Sequence, residues 1–130
     1  RAVARGVQRM KKELMPILRR FKKENKIVHA LGAPIKGATL LNSFGIGRDL
    51  VPAAAEVNPL KIGKYIPGAR IPIVDERIAE PPDAYLVLAW NFLPELVQKM
   101  EGYIKNGGAF IVPVPTPRVI DRRNYKRIIQ

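Results

Sequence analysis

Four short, largely apolar runs constrain this chain most: KIVHAL (26–31), VPAAAEV (51–57), AYLVLAW (84–90) and AFIVPV (109–114). Their apolar residues are consecutive rather than alternating, so both faces of each run must be covered, as in a parallel sheet sandwiched by helices. A shorter run at 71–74 adds another strand. Between the runs the period changes. Leu93, Leu96, Val97, Met100, Tyr103 and Ile104 recur at the spacing of an amphipathic helix, with Pro94 tolerated in its first turn and NGG (106–108) ending it. Residues 36–45 read as a second helix, entered through a glycine-bounded turn. Strands alternating with helices make this an α/β chain with an open, mostly parallel sheet and helices on both faces.

Ahead of the first run lies a third stripe: Val3, Val7, Met10, Leu14, Ile17, Leu18 and Phe21, with Arg and Lys on the opposite face. Pro16 interrupts it and predicts a kink or two shorter helices, the second starting near Met15, with Asn25 as a stop. The 130 residues suffice for one core. The chain opens on Arg1, which suggests a fragment of something longer.

The net charge of +12 is unevenly placed. Residues 1–26 carry ten Lys/Arg against Glu13 and Glu24, and residues 118–130 carry five against Asp121. The stretch 27–117 holds eight of each sign. A nucleic-acid-binding module would wear its excess on a folded reading surface, so the neutral middle speaks against one, and the flanks are read as solubilising or as steering an acidic ligand. No run reaches the roughly 20 apolar residues of a membrane span, and a cytoplasmic setting is the default. With no cysteine and His29 alone, no metal site is expected.

The stretch LGAPIKGATLLN (31–42) turns a strand into a helix at the edge where open parallel sheets bind ligands. Gly32 and Gly37 match the outer glycines of a dinucleotide fingerprint, but Pro34 stands at the middle one, and the order KGAT is not that of a phosphate-binding P-loop. Glu56, at the end of the second run, is where a ribose-binding carboxylate would stand, so an NAD-binding oxidoreductase domain is the alternative reading. Lys36, Thr39 and the backbone from Gly37 onward suit an anion at a helix N-terminus, and Asn42 lies one turn further on. FGIG (44–47) looks like part of an S-adenosylmethionine motif but follows no strand, and is read as a helix cap. His29 is read as a core or interface histidine, Trp90 as core or ligand edge, and Asn91 as a ligand contact.

Four motifs in order, GAPIKGATLLN (32–42), NPLKIGKYIPG (58–68), IPI (71–73) and AYLVLAWNF (84–92), make the chain resemble the C-terminal domain of S-adenosylmethionine-dependent sugar C-methyltransferases. The likeness runs from about Lys26 to Pro117. It implies a Rossmann-like domain over 26–117, a linking helix over 1–25 and an unmatched basic tail over 118–130. It further implies a longer enzyme with an N-terminal zinc-binding region and a central S-adenosylmethionine domain that holds the acid/base residues. This domain would then bind no cofactor and catalyse nothing alone. Its partners would be those missing domains and a nucleotide-linked keto-deoxysugar, commonly a thymidine diphosphate sugar, held between the central and C-terminal domains. The candidate substrate contacts carried over are Ala33, Lys36, Gly37, Thr39, Asn42, Asn58, Lys61, Tyr65, Trp90 and Asn91. Lys36 and Lys61 would offset diphosphate charge and Tyr65 would stack. Glu56 replaces the family's more usual aspartate, and Ala84 lies where Asp-Tyr is usual.

Overall fold

A computed structural model of the chain describes residues 2–130, with side chains from Arg5 onward, so the expected contribution of Val3 lies outside the described side chains. The elements are α1 (Ala2–Lys23), β1 (Val28–Leu31), α2 (Ile35–Phe44), β2 (Ala53–Glu56), β3 (Ile73–Asp75) and β4 (Ala84–Val87). A short 3-10 turn (Trp90–Phe92) then leads into α3 (Leu93–Lys99), α4 (Glu101–Lys105), β5 (Ala109–Val112), β6 (Arg118–Ile120) and α5 (Lys126–Ile129).

The six strands form one sheet in the order β3-β2-β1-β4-β5-β6, parallel except for β6, which runs antiparallel to β5. The mixed α/β class with a mostly parallel sheet is as expected. Strand residues alternate between two cores, as the two-residue period of a strand requires. Val28, Ala30, Ala84, Leu86 and Ile111 face one side with Leu14, Leu18 and Phe21 of α1 and Leu40, Leu41 and Phe44 of α2. Leu31, Tyr85, Val87, Phe110 and Val112 face the other, under α3, α4 and Tyr125. Tyr85, Tyr103 and Phe110 cluster there, their ring centroids 5.1 to 6.3 Å apart.

Three sequence expectations are corrected. The first helix is continuous through Pro16, so it is not two shorter helices; the proline is exposed, as is Lys12, whose carbonyl loses its partner. The helix expected after the 84–90 run is instead two, broken at Met100, whose φ of -107° and ψ of 25° leave the helical region. The segment set apart as a basic tail belongs to the fold: β6 pairs with β5, Ile120 and Tyr125 are buried, and the Tyr125 hydroxyl donates to Glu101 Oε2 at 2.7 Å. Its six charged residues hid three strand positions and one aromatic anchor.

Candidate functional site

The strand order reverses between β1 and β4, and the crevice beyond their carboxyl ends is the natural ligand position in such a sheet. Two glycines let the chain close up there. Gly32 adopts φ +85°, and its N–H donates to the Ala55 carbonyl at 2.8 Å. Gly37, in the first turns of α2, lies so near Leu88 that an added Cβ would come within 2.7 Å of the leucine Cβ. Gly37 is thus a packing residue that seats α2 on the segment after β4, and it takes no place in the ligand wall.

A groove of about 580 Å3 opens beside this crevice, between α2 and the loop that joins β2 to β3. Ala33, Ala38, Thr39, Tyr65, Ile66 and Ile73 are among its walls, so the lining is mainly apolar. That size is ordinary for a small-molecule site. Five of the residues expected to contact substrate line it: Ala33, Thr39, Asn42, Lys61 and Tyr65. Two of them also hold the walls together. The Lys61 ammonium donates to the Ala33 carbonyl at 3.0 Å, tying the β2–β3 loop to the turn before α2. Asn42 donates from Nδ2 to Ala38 O at 2.8 Å and to Pro67 O at 2.9 Å, and its amide packs against Gly68, which adopts φ +79°. Thr39 directs its hydroxyl to the Ile35 carbonyl at 3.1 Å. Tyr65 stands 59% exposed in the wall of the groove.

The other expected contacts do not line the groove. Lys36 projects into solvent from the first turn of α2. Asn58 turns its side-chain oxygen to the Leu60 N–H at 3.0 Å, closing a local turn. Trp90 is half-buried against the α1/α2 core, while Asn91 is exposed beyond the end of β4. Glu56, at the end of β2, accepts the Val57 and Asn58 N–H groups at 2.7 and 3.0 Å. His29 sits half-buried in β1, in register with Tyr85, and burial holds its imidazole below the ordinary value of 6.5. FGIG is a helix cap as read: Gly45 adopts φ 69° and donates its N–H to Asn42 O at 3.2 Å.

Sequence reasoning missed Ile66, Pro67, Ile73 and the charge of the walls. The even charge of 27–117 conceals a segregation: residues 33–48 and 57–74, which build the two sides, carry Lys36, Arg48, Lys61, Lys64 and Arg70 and no carboxylate. Counting charge by wall rather than by segment would have found it. The same edge of the sheet exposes apolar side chains from successive loops: Ile35 (86% exposed), Leu60 (75%), Ile78 (85%) and Phe92 (61%).

Comparison with known proteins agrees with the resemblance. The family described as C-methyltransferase C-terminal domain matches residues 1–115. The chain belongs to this family. It is 38% identical over 122 residues to the C-methyltransferase NovU of Streptomyces niveus, a match covering 92% of this chain and 29% of that relative. The glycines of FGIG close a helix and follow no strand. There is no cysteine, and among the described residues no cluster of His, Asp and Glu could hold a metal ion. Among them, too, no helix is long and apolar enough to cross a membrane.

Proposed function

We propose that this domain is the substrate side of an S-adenosylmethionine-dependent C-methyltransferase, holding a nucleotide-linked keto-deoxysugar while other parts of a longer enzyme transfer the methyl group. The observation that carries the reading is an apolar groove with Tyr65 and Lys61 in its walls and no carboxylate lining it, set among segments that also carry Lys36, Arg48, Lys64 and Arg70. Apolar walls suit a base or the carbon face of a deoxysugar, Tyr65 can stack on either, and the surrounding cations favour a diphosphate. The exposed apolar residues at the same edge suit a surface closed by another domain, which fits a chain spanning 29% of its relative.

The strand order also suits a dinucleotide, but the residues at its contact points do not. Pro34 is the N-cap residue of α2, so it offers no N–H where a pyrophosphate would approach. Titration of the isotope-labelled chain with thymidine diphosphate, NAD and S-adenosylmethionine separates these readings by NMR. Shifts over 33–43 and 61–67 with the first ligand alone are expected. A stronger response to NAD at the same residues would replace this reading with the dinucleotide one.

A further inference from the structure

The cations around the groove are not equally free. Lys61 is spent on the Ala33 carbonyl, and Lys36 stands away from the groove. Arg48 and Arg70 differ from both. They line, together with Tyr65, a second cavity of about 390 Å3, and Tyr65 is also a wall of the apolar groove. Tyr65 therefore borders both the apolar groove and the space lined by the two arginines.

The two arginines come from different segments that the fold presses together. Arg48 follows the cap of α2, in a turn closed by the Val51 N–H on the Gly47 carbonyl at 3.0 Å. Arg70 sits in a turn closed by its own N–H on Ile66 O at 2.9 Å and by Ile66 N–H on Ile71 O at 2.8 Å. That turn holds Arg70 at φ 58°, in the left-handed region rarely used by residues other than glycine. The turns touch, since a Cβ on Gly47 would stand 3.9 Å from the Ala69 carbonyl, and Asn42 clamps the second one through Pro67. Five ion pairs occur among the described residues, and none uses Arg48 or Arg70; Asp49, adjacent in sequence to Arg48, also pairs with neither. Two unpaired guanidinium groups on braced turns line one cavity, and a guanidinium presents the fork of N–H donors that binds phosphate oxygens in pairs.

We infer that Arg48 and Arg70 form the diphosphate subsite of the groove, with Tyr65 at the junction between the phosphates and the apolar part of the ligand. This assignment rests on the proposed function, because it takes the groove ligand to be a nucleoside diphosphate derivative. It moves the charge-neutralising role from Lys36 and Lys61 to two residues outside the family-like motif positions expected to contact substrate.

Calorimetric titration of the chain with thymidine and with thymidine diphosphate tests it. The unaltered chain is expected to bind the diphosphate at least roughly tenfold more tightly than the nucleoside, with the gap narrowing as salt rises. Arg48→Gln combined with Arg70→Asn, the latter residue tolerating the left-handed backbone, should erase that preference and leave thymidine affinity unchanged. Unchanged thymidine binding also certifies that the variant is folded. A diphosphate preference that survives in the double variant would overturn the subsite and leave the groove reading standing. Absence of binding by either probe to the unaltered chain would remove both. Arg70→Lys keeps charge without the fork, and partial rescue by it is expected.

Discussion

At the residue scale, the small side chains of the first turn decide how the site is built. Gly37 allows α2 to rest on Leu88, and Gly37→Ala puts a methyl group 2.7 Å from the leucine Cβ. The helix must shift, so the substitution is expected to cost about 1–3 kcal/mol, as overpacking does, and to move the groove wall. Chemical denaturation measures the first effect and NMR shifts at Ala38 and Thr39 the second; a stability equal to that of the unaltered chain would show that the helix yields freely. His29 gives a pH prediction. Burial favours the neutral imidazole when folded, so the unfolded chain takes up the proton at the higher pH. Stability is therefore level above 6.5 and falls as pH drops from there toward the lowered folded value. His29→Gln should flatten that fall between about pH 7.5 and about pH 5.5 in denaturation curves, and an undiminished fall would assign it elsewhere.

At the element scale, the edges of the sheet are finished by segments with little apolar periodicity. β6 pairs antiparallel to β5, Phe110 opposite Ile120, and so covers what would otherwise be an open edge. Ile120 is 4% exposed in the second core. Ile120→Ala is expected to destabilise the chain by about 2–5 kcal/mol, the range for emptying a buried aliphatic position. Tyr125→Phe keeps the ring and loses only the hydroxyl that donates to Glu101, so its loss should be smaller. The pair of variants, compared by thermal and chemical unfolding, shows whether residues 118–130 are part of one cooperative unit. Independent melting of that segment would show that they are not.

At the scale of the whole molecule, the exposed apolar side chains gather at one edge of the sheet. The groove opens beside the carboxyl end of β1 and runs along α2 to Asn42 and Ser43. The two arginines lie past the far end of α2, ahead of β2 and β3, and Ile35, Leu60, Ile78 and Phe92 are exposed in the segments that follow β1 to β4. Side chains this exposed contribute little to folding, so Leu60→Ser with Phe92→Ser should change stability by no more than about 0.5 kcal/mol each. Under the proposed function the same pair should lower methyl transfer in the complete enzyme, because they remove apolar area where another domain closes on the substrate. Full activity in the double variant would show that this edge is not such a surface.

The sequence by itself determined the α/β class, the parallel strands, the two covered faces and the family, because apolar runs and ordered motifs are local and survive reading in one dimension. It also marked Ala33, Thr39, Asn42, Lys61 and Tyr65, which meet in the groove. What it left undecided depends on which segments touch. Only the folded chain sets Arg48 and Arg70 beside one another, turns Asn42 and Lys61 into braces, and draws the basic end into the sheet. Contacts between residues dozens of positions apart leave no period in the sequence. A charge balance summed along the chain likewise cannot show charges that folding sorts onto different faces.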